Sequence, residues 1–206
     1  MLEFAAVVIG SYLIGSIPFG LVAGKLRGVD VRAHGSGKIG STNVLRTLGT
    51  RAAAVVLICD MLKGVAAVLL ARFVLESHVG EMAAGFAAIA GHDWSVFIKF
   101  QGGRGVATSL GGVFTMAPLV AIAGLAIFIL FVALTRYVSL GSMLGSLGAV
   151  AIMAVFVALG GDPWEYLVYV GVAVALIILQ HRDNMSRLLS GTENKLGQKG
   201  ERRQTK

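Results

Sequence analysis

The sequence predicts an all-α, polytopic membrane protein, and three observations predict it: an apolar composition, a series of uncharged runs of bilayer length, and a one-sided distribution of basic residues. Of 206 residues, 56% are hydrophobic and the mean hydropathy is +0.80, well beyond the roughly 45 to 50% apolar share of a soluble domain. The net charge of +7 and pI near 9.9 do not describe a nucleic-acid binder, because basic residues are not interleaved with aromatic ones and polar surface is scarce. The lone Cys59 lies in an apolar run, allows no internal disulfide and reads as a small packing residue.

About 20 apolar residues cross a bilayer. Phe4 to Gly24 is the first such run, and no lysine or arginine precedes it, so it reads as a permanent span and not a cleaved leader. Ala52 to Leu75 is the second, interrupted by Asp60 and Lys63. Gly80 to about His92 begins a shorter third, which the apolar Trp94 to Phe100 region can extend. Gly105 to Thr135 holds 31 residues without a charge, too long for one ordinary span, with Pro118 near its middle. Tyr137 to Gly161 and Pro163 to Gln180 supply the last two runs.

Charge decides the count. Lys25, Arg27, Arg32, Lys38, Arg46 and Arg51 face only Asp30 between the first two runs, which makes that loop cytoplasmic and the N-terminus outside. The tail carries Arg182, Arg187, Lys195, Lys199, Arg202, Arg203 and Lys206, so it too is expected in the cytoplasm, and the number of spans must be odd. Breaking the long run at Pro118 gives seven transmembrane helices. Glu76, Glu81, Asp162 and Glu165 then lie outside without a basic partner. Residues 1–190 form one membrane domain with a cytoplasmic-side site, and 191–206 a basic cytoplasmic tail.

Every glycine-rich or cationic cluster falls on that cytoplasmic face. The stretch AHGSGKIGSTNVLR, Ala33 to Arg46, is not a nucleotide P-loop: Ser41 follows Gly40 where lysine is required, and Arg32 stands where the first glycine before Gly37–Lys38 should be. Its glycines and cations still suit another phosphate, since glycine lets backbone N–H groups approach an anion. A second loop, QGGRG, carries Arg104, and a helix starting near Gly105 would add its positive N-terminal dipole. Either loop alone reads as packing glycine and topology-setting charge; their recurrence on one face, together with histidine and asparagine, favours a site for two anionic groups or one large one. Asp60 and Lys63, one turn apart, read as a structural pair supporting the site from beneath. His34 and His78 read as solvated loop residues and His92 as an anchor or a site residue, while His181 has Asn184 and Met185 on its helical face. Trp94 and Trp164 fit an interfacial belt.

GSIPFG (15–20), GSGKIGSTNVLR (35–46), GHDWSVFIKFQGGRGVAT (91–108), RYVSLGS (136–142) and HRDNMSRLLSGTE (181–193) together resemble the bacterial acyl-phosphate:glycerol-3-phosphate acyltransferases of the PlsY type. The resemblance covers nearly the whole chain in order. It implies a seven-span enzyme of the bacterial inner membrane that moves a fatty acyl group from long-chain acyl phosphate to glycerol 3-phosphate, giving lysophosphatidic acid and phosphate. It carries catalytic roles to Ser36, Arg46, Arg104, Ser142, His181 and Asn184. Substrate-binding positions are expected at Gly37, Lys38, Gly40, Ser41, Thr42, Asn43, His92, Gly102, Gly103, Gly105 and Thr108. The chain departs from the family pattern at Lys38 (usually asparagine), Ser41 (alanine), Trp94–Ser95 (phenylalanine-proline) and Arg104 (lysine).

The residue inventory suits this chemistry. A mixed anhydride needs no covalent enzyme intermediate, and no histidine is followed five positions on by aspartate, as the His–Asp acyltransferases require. The resemblance implies instead that a phosphate oxygen of the donor takes the hydroxyl proton. No residue cluster has metal-ligand spacing, so no metal or other cofactor is expected. No nucleic acid and no obligatory protein partner are expected either, the bilayer being the chain's environment. A transporter for a phosphorylated solute is the competing reading, but it predicts paired internal repeats and midplane polar groups, which the sequence does not display. A lipid-phosphate transferase of another kind would require metal-binding carboxylates.

Overall fold

The computed structural model describes residues 1–198 and 200, and among these every regular element is helical. Lys199, Arg202, Arg203 and Lys206 of the expected basic tail lie outside the described residues. Helices α1 (Leu2–Ser16) and α2 (Phe19–Lys25) form one apolar segment broken at Pro18. Ile17 is extended there, with ψ 115°, because the residue before a proline is pushed out of the α region. A short amphipathic helix, α3 (Ser41–Leu48), leads through Gly49 into α4 (Thr50–Leu75).

Helix α5 (His78–Asp93) stops at Trp94, so the Trp94 to Phe100 region does not extend it. That region is instead a 3-10 turn, Val96–Ile98, followed by left-handed Lys99 and Phe100. Helices α6 (Val106–Met116) and α7 (Pro118–Thr135) divide the long uncharged run at Pro118, which occupies the first turn of α7 where its missing N–H costs nothing. Then come α8 (Val138–Ala158), α9 (Trp164–Gln180) and α10 (Arg182–Leu189). The α1–α2 segment, α4, α7 and α8 are long and apolar enough to cross a bilayer, and α9 joins them if taken with α10, from which it is bent by 57°. Helix α5, at 16 residues, and α6, at 11, are shorter.

The helices pack through small residues, as apolar helices in lipid must. Gly64 of α4 lies against the Thr108 carbonyl of α6, and Gly111 of α6 against the Met61 carbonyl of α4, so a side chain at either would part the pair. The main core, built on Val68, Ile89, Val120, Met153, Tyr169 and Val170, fills the space among α4 to α9.

A second expectation fails. Glu81 is not free of basic partners: Arg72, on α4, grips it with two hydrogen bonds of 3.0 and 2.8 Å. Tyr166 donates to the same carboxylate at 2.8 Å, and Arg72 also donates to the Thr115 carbonyl at 3.0 Å. Arg72 sits within helix α4, partly exposed, and belongs to no loop, so a count of loop charges overlooks it.

Candidate active site

Two glycine loops and the α9–α10 turn converge on one cavity of about 590 Å³. Its polar end is lined by Ser36, Lys38, Arg46, Arg104, His181 and Asn184, and its other walls are mostly apolar, with Leu57, Leu110, Val113, Phe128, Val170 and Val174 among them. The volume lies within the usual range for a small-molecule site.

The first loop owes its shape to Asn43, which is 2% exposed. Its amide nitrogen donates to the carbonyls of Val31 (2.8 Å), His34 (3.1 Å) and Lys38 (2.8 Å), and its oxygen accepts the Ser36 N–H at 3.0 Å. Asn43 therefore spends its hydrogen bonds on the loop, although it also borders the cavity. Gly35 and Gly37 take positive φ of 53° and 72°, a conformation other residues rarely hold. Gly37 does not line the cavity; Gly40, Ser41 and Thr42 do, at the N-terminus of α3. Arg46 lines the cavity one turn beyond Asn43, and its guanidinium donates to the Asn194 carbonyl at 3.0 Å.

The second loop departs more from expectation. The N–H groups of Gly102 and Gly103 donate to the carbonyls of Asp93 (3.1 Å) and His92 (2.9 Å), closing the C-terminus of α5. Neither glycine lines the cavity, and a side chain on Gly103 would collide with the His92 ring. These amides are committed to the scaffold, which is why they do not form a cradle. Arg104, next in the chain, does reach the cavity, and its buried Nε has no hydrogen-bond partner. Burial, and then the charge of Arg187, push its pKa down to about 10. Gly105, with φ 71°, starts α6, whose first turn (Val106, Ala107) faces the cavity. Helices α3 and α6 thus both present N-terminal turns to it, where free N–H groups favour an anion. Thr108 is fully buried in the α4–α6 contact and lies off the cavity.

Lys38 borders the cavity, and burial followed by the charge of Arg104 lowers its pKa. Three cations, Lys38, Arg46 and Arg104, thus line one end of the cavity. Ser142 lines the wall and donates to the Val138 carbonyl at 2.9 Å. His181 is 2% exposed, and its Nδ1 lies 2.8 Å from the Ile177 carbonyl. Burial, reinforced by Arg104, drives its pKa down to about 4, so the ring is neutral at pH 7, with Nδ1–H donating to Ile177 and Nε2 left as an acceptor. His92 and Asp60 form part of the floor.

The sequence marks neither Glu193 nor Ser139 as a site residue and presents Arg187 only as tail charge. Glu193 accepts from Ser139 (2.8 Å) and Asn184 (2.6 Å) on one oxygen and from Arg187 (2.7 Å) on the other, tying α8, α10 and the following loop together beside the cavity. These hydrogen bonds hold its pKa below the usual range against the opposing effect of burial. The available signal was an acid set among basic tail residues. Among the described residues no group of three or more His, Cys, Asp or Glu side chains is placed to hold a metal ion.

The family model for glycerol-3-phosphate acyltransferase matches residues 5–191. The chain belongs to that family. A glycerol-3-phosphate acyltransferase 3 of Dehalococcoides mccartyi (strain ATCC BAA-2266 / KCTC 15142 / 195) is 45% identical over 94% of this chain and 95% of its own. A glycerol-3-phosphate acyltransferase of Thermoanaerobacter sp. (strain X514) is 47% identical over 93% and 94%. The crystal structure of PlsY (YgiH), an integral membrane glycerol 3-phosphate acyltransferase, in its glycerol 3-phosphate form superposes with a TM-score of 0.87 at 41% identity, covering 94% of this chain and 96% of that one. The lysophosphatidic acid form of the same protein gives 0.84 at 40% identity. The chain is accordingly a multi-pass membrane protein of the acyltransferase class.

Proposed function

We propose that this protein transfers a fatty acyl group from long-chain acyl phosphate to glycerol 3-phosphate, releasing lysophosphatidic acid and inorganic phosphate. The reading includes seven spans, an outside N-terminus, a cytoplasmic C-terminus and a place in the bacterial inner membrane, where the site faces the water-soluble acceptor. The observation that carries it is the two-part cavity: a cationic end built on two loops joins an apolar corridor, as a reaction between a polar phosphate and a lipid tail requires.

In this reading Arg46, Arg104 and Lys38, with the first turns of α3 and α6, hold the two phosphates, and the apolar walls take the acyl chain. A glycerol hydroxyl attacks the acyl carbonyl carbon. A new C–O bond forms, the bond from acyl carbon to phosphate oxygen breaks, and the hydroxyl proton passes to a donor phosphate oxygen. The residues supply position and charge compensation. His181, Asn184, Ser36 and Ser142 orient the substrates. Purified protein in lipid, given both substrates, should release phosphate and form lysophosphatidic acid in equal amounts; turnover that requires acyl-CoA instead would defeat the proposal.

A further inference from the structure

Beneath the cavity lies a charged cluster that no step above uses. The Asp60 carboxylate and Lys63 ammonium meet at 2.9 Å, with side chains 3% and 2% exposed. A buried pair of this kind is seldom more stable than apolar residues of the same volume, so its presence asks for another explanation, and both partners reach toward the glycine loops.

Lys63 donates at 3.1 Å to the Ile17 carbonyl, at the break before Pro18, and its Nζ lies 5.7 Å from the centre of the Phe19 ring. Helix α2 starts there, and its Gly20 supports the Ile39 carbonyl of the first loop so closely that no side chain would fit between them. Asp60 Oδ1 lies 3.6 Å from Nδ1 of His92, an electrostatic contact longer than a hydrogen bond, and both atoms are buried without a hydrogen-bond partner. His92 is 4% exposed, its carbonyl receives the Gly103 N–H at 2.9 Å, and its ring packs against Gly103, one residue before Arg104. Ser95 adds a 2.6 Å bond to the Ser16 carbonyl, joining the second loop's stem to the same break in the first segment.

We propose that Asp60 and Lys63 are positioning residues that brace both loops at once, Lys63 through the Pro18 break and α2, Asp60 through His92, and so set the separation of the two phosphate subsites. The proposal rests on the two-loop reading of the reaction, and its test includes a readout independent of turnover. Removing one charge would strand the other in the bilayer, so the informative variant is Asp60→Asn with Lys63→Met, which leaves no unpaired charge. Hydrogen exchange and kinetics are compared with the parent protein in the same lipid. Expected are a similar melting temperature, faster amide exchange in Gly35–Gly40 and Gly102–Arg104 but not in α7 and α8, and kcat/KM lower by roughly 10- to 100-fold, since misplacement of about 1 Å suffices. His92→Gln, which keeps a polar side chain of similar reach between Asp60 and Gly103, should loosen the second loop less than His92→Ala and leave the first unchanged. Unchanged exchange in both loops overturns the brace, as does faster exchange throughout the bundle. Loss of a limb of the pH–rate profile in the double variant also overturns it, because Asp60 would then act on the substrate directly. If the parent protein shows no turnover, the proposed reaction falls and the exchange data still decide the brace.

Discussion

The molecule contains two polar clusters in which an arginine meets buried side chains, and they differ in how completely they are paired. At one end of the bundle, Arg72 makes two bonds to Glu81 and a third to the Thr115 carbonyl, while Tyr166 completes the carboxylate. At the other, Arg104 leaves a buried Nε without a partner and Asn184 leaves its amide oxygen bare, with Lys38 and Arg46 beside the same cavity. The positions of Asp60 and Arg72 on α4 are separated by roughly 18 Å at 1.5 Å per residue. A completed network fastens helices together. An incomplete one, rich in cations and opening on a cavity, is built for a ligand that brings the missing charge.

Breaking the completed cluster should damage folding and spare chemistry. Arg72→Met strands the Glu81 carboxylate, whose side chain is 5% exposed, and should cost about 3 kcal/mol, the low end for breaking a buried pair because Arg72 is partly exposed. Denaturation in detergent measures it, and kcat per folded molecule should stay near the parent value.

The incomplete cluster should behave in the opposite way. Arg46→Ala and Arg104→Ala each remove charge-assisted hydrogen bonds worth about 1.5 to 3 kcal/mol, which is roughly ten- to more than a hundredfold in kcat/KM. Arg104→Lys, which keeps the charge, should retain much of the rate. Near-normal kinetics for both alanine variants, in protein shown to be folded and inserted, would reduce these arginines to topology signals.

Glu193 sharpens the comparison, because it is a completed carboxylate beside the incomplete cluster. Glu193→Gln removes the charge that faces Arg187 and offers a poorer acceptor to Asn184 and Ser139. A fall of about tenfold in kcat/KM, from the loss of one charge-assisted bond, should appear with little change in melting temperature. A larger change in stability than in rate would place Glu193 with Arg72 in the fastening class.

His181 provides a pH test. Its pKa in the folded protein, about 4, lies below the ordinary histidine value of 6.5, so the unfolded chain binds the proton more readily. Stability on this account is full above about pH 6.5 and falls as the pH drops toward 4. His181→Gln should flatten that slope in melting temperature against pH, and the pH profile of the variant's remaining activity should keep its shape if the ring orients substrate and takes no proton. The smallest effect is expected from chelation: activity should survive EDTA, and a loss restored by a divalent cation would overturn a mechanism built on arginine, lysine and helix N-termini.

Composition, run length and the proline at 118 determined by themselves that the chain is helical, membrane-embedded and broken where α6 meets α7. Charge asymmetry predicts that the glycine-rich motifs share one face, and the cavity collects residues from the first two loops and the tail motif. These features are local: hydropathy, a restricted proline and loop charge are properties of a segment, whatever it packs against. Only the tertiary structure decided which polar groups remain available. Gly102 and Gly103 look like an anion cradle in sequence, yet their amides close the end of α5. Asn43 looks like a ligand contact and is the loop's internal brace. Arg72 finds Glu81 on a neighbouring helix, and Glu193 finds Ser139 54 positions away. A donor or acceptor can be spent once, and which partner claims it depends on helix faces brought together across long separations, which no local pattern records.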